Sequence, residues 1–131
     1  MFFFDLDGTI TMCGGFGASR KKFPWWFLWL IFVFYKPKIN REILLLILSV
    51  KRDGEKVTVI TNRPKNLENL TRKYLKKNGI PYDNIFFLSP GPYGFKRKVE
   101  KAKKEGARFL YDNNKQVVRE AEKEGIKAFL V

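Results

Sequence analysis

The chain has 131 residues, with 26 Lys and Arg against 13 Asp and Glu and no His, for a formal net charge of +13 at neutral pH. That length suits one domain with a modest core, and a hydrophobic content of 45% argues against disorder. A lone Cys13 and the absence of His exclude an internal disulfide, a Cys/His zinc cluster and any histidine acid or base, so catalysis must run on carboxylates, lysines or hydroxyls.

The first apolar run, Phe2-Phe3-Phe4, leads directly into Asp5-Leu6-Asp7 and lacks the basic start and cleavable apolar segment of a secretory signal. A cytoplasmic location is the expectation. Four further short apolar runs follow, at 57–61, 85–89, 108–112 and 127–131, with helical stretches expected between them at about 39–53, 64–78, 95–105 and 115–124. Asn40 can cap the first helix, Pro64 suits the first turn of the second, and Gly54, Gly79, Gly106 and Gly125 stand where helices end. This alternation predicts a three-layer α/β/α, Rossmann-like domain around a parallel five-stranded sheet with right-handed crossovers. Ligands of such sheets sit at the C-terminal ends of the strands. Those ends carry Asp5 and Asp7, then Thr61, Ser89 and Asp112, while Ser89 and Asn113 read better as turn residues or helix caps.

Residues 11–38 are too many for a βα loop and form an insertion. Within it, the 13 residues from Phe23 to Tyr35 hold all three tryptophans and eight of the 21 aromatics, flanked by Arg20-Lys21-Lys22 and Lys36-Pro37-Lys38. As a helix they would reach only about 20 Å, short of the roughly 30 Å core of a bilayer. A lid over the crevice, a self-association or partner surface, and an interfacial membrane anchor are the readings open to this segment.

Asp5-Leu6-Asp7-Gly8-Thr9 carries the most chemical information. Two carboxylates two residues apart on a strand would point to opposite sides, but Gly8 permits a turn that brings both to one phosphate-sized site. One carboxylate could then attack phosphorus while the other moves the proton, and an all-oxygen site of this kind suits Mg2+.

On these residues the sequence resembles the haloacid dehalogenase-like (HAD) superfamily of phosphohydrolases. The first motif of that family, an apolar strand ending in Asp-x-Asp-Gly-Thr, is matched by Asp5, Asp7, Gly8 and Thr9. Its second motif, a strand ending in Ser or Thr, is similar to Val57-Thr58-Val59-Ile60-Thr61 followed by Asn62-Arg63. Its third, a Lys early in a later helix, is assigned to Lys96 with Lys98 as the rival. Its fourth, an acid ending the next strand, is similar to Phe109-Leu110-Tyr111-Asp112. The resemblance covers 2–10 and 56–131. It implies Asp5 as nucleophile, Asp7 as general acid and then base, Thr61 holding the phosphoryl oxygens, Lys96 offsetting their charge, and Mg2+ bound by Asp5, the Asp7 backbone carbonyl and Asp112.

Many relatives carry a second acid in the fourth motif, where this chain has Asn113 and Asn114. Relatives also place a cap domain between the first motif and the following helix, and 11–38 are too few for a full cap. The stretch from Leu110 to Val118, with Glu124-Gly125-Ile126, is similar to the phosphatase half of polynucleotide kinase/phosphatase enzymes.

The expectation is therefore one HAD-like domain over 1–131 that hydrolyses a phosphomonoester with Mg2+ through an aspartyl-phosphate. The alternative is a weakly catalytic or non-catalytic binding module that associates with a partner or a membrane surface through 23–35. A phosphorylated substrate is the implied partner. Nucleic acid is a weaker candidate, because the basic helices at 64–78 and 95–105 should lie on opposite faces of the sheet. Homo-oligomerisation through the aromatic segment is left open.

Overall fold

The structure, a computed structural model, describes residues 1–12 and 38–131. Its strands are β1 (Phe2–Asp5), β2 (Val57–Thr61), β3 (Asn84–Phe87), β4 (Phe109–Asp112) and β5 (Lys127–Leu130). The described helices are α1 (Arg41–Arg52), α2 (Glu68–Lys77), α3 (Gly94–Lys104) and α4 (Lys115–Lys123), with a 3-10 turn at Lys65–Leu67 leading into α2. All neighbouring strands pair in parallel, in the order β3-β2-β1-β4-β5. This is the expected three-layer, Rossmann-like architecture.

Alternation along each strand separates two cores. Phe4, Val57 and Val59 pack on one face with Ile43, Ile47 and Val50 of α1 and Leu75 of α2. Phe3, Ile60 and Leu110 pack on the other with Val99 and Ala102 of α3 and Val117 and Ala121 of α4. The 64–78 and 95–105 stretches thus cover opposite faces, as right-handed crossovers require. Every residue of β2 is buried, as befits a strand covered on both sides.

Element ends follow local chemistry. The Asn40 side chain accepts from the Glu42 amide, capping α1 as expected. Pro64 precedes the 3-10 turn instead of sitting inside the first turn of α2. Strand β3 stops at Phe87, earlier than the apolar run suggests, because Ser89 adopts φ 65° and its amide bonds to the Arg63 carbonyl. A chain with that dihedral cannot continue an extended ladder.

The two ends of the 11–38 insertion are paired. Met12 donates to the Lys38 carbonyl at 2.8 Å, Asn40 donates to the Ile10 carbonyl at 2.8 Å, and Thr11 bridges to Ile39. The aromatic segment 23–35 lies outside the described residues, and its expected roles as lid, association surface or anchor lie there with it. Among the described residues no helix is long and apolar enough to cross a membrane.

Candidate active site

Strand β1 delivers Asp5 to the C-terminal edge of the sheet, in register with Ile60 of β2, so Thr61 stands one residue further along. Beyond Asp5 the chain curls back: Ile10 donates to the Asp5 carbonyl and Thr11 to the Leu6 carbonyl. Gly8 makes this turn with φ +89°, and a side chain there would meet the end of Asn113 at 2.1 Å. Both its backbone conformation and the space beside it require glycine.

Three acidic side chains meet two buried cations at this edge. Lys98 Nζ donates to Asp5 Oδ1 at 2.7 Å and to Asp112 Oδ2 at 2.8 Å, and all three side chains are buried. The second oxygen of Asp112 accepts from the Asn114 amide at 2.8 Å. Arg63 grips Asp7 in a fork, with Nε donating to Oδ2 at 2.8 Å and Nη2 donating to Oδ1. Its remaining arm, Nη1, donates to Thr71 Oγ1 of α2 at 3.0 Å.

The sheet therefore brings Asp5, Asp7, Thr61 and Asp112 to one edge, with Lys98 as the lysine between the carboxylates. Lys96 is not brought into this group: it is exposed, and its ammonium lies 5.7 Å from the centre of the Tyr93 ring. Helix phase explains the choice. Phe95, Lys98, Val99 and Ala102 form the i, i+3, i+4, i+7 stripe that faces the sheet, whereas Lys96 falls on the other side. That stripe is visible in the sequence as a lysine at an apolar position.

Arg63 follows the second motif in the sequence, where no role attaches to it. Its nearest signal is Thr71, which sits in the Leu67, Thr71, Leu75 stripe of the second helix and is fully buried, so its hydroxyl needs an internal partner. Asn113, expected to serve a turn or a cap, lies against the site. In the orientation that satisfies its amide, it donates to the Asp7 carbonyl at 3.2 Å and to Asp5 Oδ2 at 3.3 Å. The cap of α4 is instead Asn114, which accepts from the Gln116 amide at 2.9 Å.

Burial pushes the Asp5 carboxyl up from its ordinary 3.8 to about 7; the Lys98 charge opposes this rise, and Asp112 and Asp7 add to it. Burial works to lower the Lys98 ammonium, but the charges of Asp5 and Asp112 outweigh it and hold Lys98 above its ordinary value. Among the described residues the cluster holds one more carboxylate than cations, so it favours a further positive charge.

Donor chemistry indicates which cation would suit. No three Asp, Glu, Cys or His side chains of the described residues form a metal-holding group. Asp5 Oδ2 and the Asp7 carbonyl do converge, since one Asn113 amide reaches both. Hard oxygens drawn from one or two carboxylates and a carbonyl are the donor types that suit Mg2+.

No family model matches the chain. A nucleotidase from Clostridium acetobutylicum is 28% identical over 94 residues, which are 72% of this chain and 46% of that protein. The chain thus spans about half the length of that curated relative. A solved structure of the Pnkp1/Rnl/Hen1 complex superposes with a TM-score of 0.77 at 22% identity, covering 99% of this chain and 45% of that one. The HAD domain of the Legionella pneumophila effector Lem4 superposes with a TM-score of 0.57 at 16% identity, covering 99% of this chain and 84% of that domain. The fold is HAD-like. In this HAD-like fold the strand order and the placement of Asp5, Thr61 and Asp112 at one sheet edge put the acidic cluster where α/β sheets bind ligands.

Proposed function

We propose that the protein is a phosphatase that hydrolyses a phosphomonoester through a covalent aspartyl-phosphate at Asp5. The observation that carries this reading is the buried Asp5–Lys98–Asp112 bridge beside Asp7 at the sheet edge. The relative named as a nucleotidase supports hydrolysis of a phosphate ester as the reaction class.

In the first step an Asp5 oxygen forms a bond to phosphorus as the bond to the leaving oxygen breaks. That oxygen keeps the electron pair and takes a proton from the Asp7 carboxyl. In the second step water attacks phosphorus, the Asp5–phosphorus bond breaks, and the water proton passes to Asp7. Lys98 places a fixed positive charge next to the attacking carboxylate, in a site where burial strengthens it. Mg2+, held by Asp5, the Asp7 carbonyl and Asp112, would supply charge neutralisation for the phosphoryl oxygens. Lys96 and Lys115, exposed in the first turns of α3 and α4, would draw an anionic substrate toward the edge.

Phosphate release from an aryl phosphate tests the reading. Release is expected with Mg2+, is expected to fall to background in EDTA, and is expected to be lost in Asp5→Asn with the fold retained. Activity surviving in Asp5→Asn contradicts the mechanism.

A further inference from the structure

Arg63 is a charged side chain that the reaction above does not use, yet it is almost completely buried, with 3% of its side chain exposed. Burying a guanidinium is costly unless its donors are matched, and an apolar residue of similar volume would fill such a space with less penalty. Here the donors are matched in a particular way. Nε and Nη2 engage the two oxygens of Asp7 side by side, Nη1 is anchored on Thr71, and the backbone amide of Arg63 donates to Thr61 Oγ1 at 3.1 Å. A two-point contact between planar groups fixes the plane and the heading of the carboxylate, which a single ammonium contact does not. The guanidinium is tied to α2 through Thr71, and the Arg63 backbone is tied to the end of β2 through Thr61.

We infer that Arg63 is a positioning residue: anchored on Thr71, it aims the Asp7 carboxyl at the oxygen that leaves phosphorus. This rests on the phosphatase reading and adds to it the part that orients the proton donor. In an ordinary ion pair either partner can swing; here the Arg63 side is locked, so the orientation is imposed on Asp7. The fork also links the loop after β1, which carries Asp7, to the loop that follows Thr61 at the end of β2.

The test compares kcat/KM on two substrates in wild type, Arg63→Gln, Arg63→Lys and Thr71→Val. One is 4-nitrophenyl phosphate, whose acidic leaving group departs with little help. The other is a simple alkyl phosphate, whose leaving oxygen must be protonated. Arg63→Gln should lose about 100-fold or more on the alkyl ester and less than about 10-fold on the aryl ester, the range over which general acid catalysis operates. Arg63→Lys should recover part of the alkyl loss. Thr71→Val, which leaves the ion pair in place, should show the same skew at smaller size, and it carries the test where Arg63→Gln does not fold. In an Asp7→Asn background Arg63→Gln should add nothing. Equal losses on the two substrates, or a further loss in the Asp7→Asn background, would overturn the assignment. Wild type without Asp5-dependent release on either substrate overturns the phosphatase reading, and this assignment with it.

Discussion

The two edges of one sheet treat charge in opposite ways. At the N-terminal edge, Lys51 pairs with Asp83 at 2.8 Å with about a third of each side chain in water, and Lys103 pairs with Glu124 while more exposed still. At the C-terminal edge, Lys98 bridges Asp5 and Asp112 with almost nothing exposed. Exposed pairs are screened, contribute little, and could be removed with little effect on the fold. Buried ones hold several kcal/mol of desolvation against their mutual attraction, and an apolar core would be as stable or more so. This small chain buries two acids and two cations at one edge, with a third acid, Asp7, partly buried beside them, a desolvation cost that supports the proposed site there.

Unbalancing the buried edge should have the largest effect. Lys98→Met leaves Asp5 and Asp112 buried without their shared cation and should cost about 3–5 kcal/mol, read as a drop in the denaturant midpoint. Adding Asp112→Asn should restore part of that loss, because it removes one of the stranded charges. A Lys98→Met protein as stable as wild type would break the contrast between the edges.

The exposed edge should respond far less. Asp83 accepts both from Lys51 and from the Val57 amide at 2.8 Å, tying the last turn of α1 to the start of β2, so Asp83→Asn should cost about 1 kcal/mol. Its hydrogen bond from Lys51, then that from Val57, holds the Asp83 carboxyl below its ordinary 3.8. The folded state thus binds this proton more weakly than the unfolded chain. The contribution is present above pH 3.8 and is lost as pH falls through the lower folded-state value, so the gap between wild type and Asp83→Asn should close in acid. Lys103→Ala should change stability by less than about 0.5 kcal/mol.

Much of this was readable from residue patterns because the physics was local. Apolar runs bounded by turn residues give the strands, and the strand ends place Asp5, Thr61 and Asp112 without further information. The β2 span of 57–61 is recovered to the residue, whereas β3 is overextended because the φ of Ser89 depends on its bond to the distant Arg63. Choosing Lys98 over Lys96 needed only helix phase, with Phe95, Val99 and Ala102 as guides. Arg63 stands next to the second motif, but its pairing was not legible: its partners Asp7 and Thr71 lie 56 and 8 residues away, and no period in the sequence relates them. Asn113 and Asn114 share a residue type and a neighbourhood, so only the fold could tell the one against Asp5 from the one capping α4.

The central claim is that Asp5, one of the two carboxylates that Lys98 bridges, is the one that takes up phosphate. Incubating the protein with Mg2+ and an aryl phosphate, quenching in acid and locating the phosphate by peptide mass spectrometry tests it most directly. The account predicts one phosphate on the N-terminal peptide, at Asp5, absent from Asp5→Asn. Phosphate found on another residue, or turnover with an unmodified Asp5 under conditions that trap acyl phosphates, would contradict it.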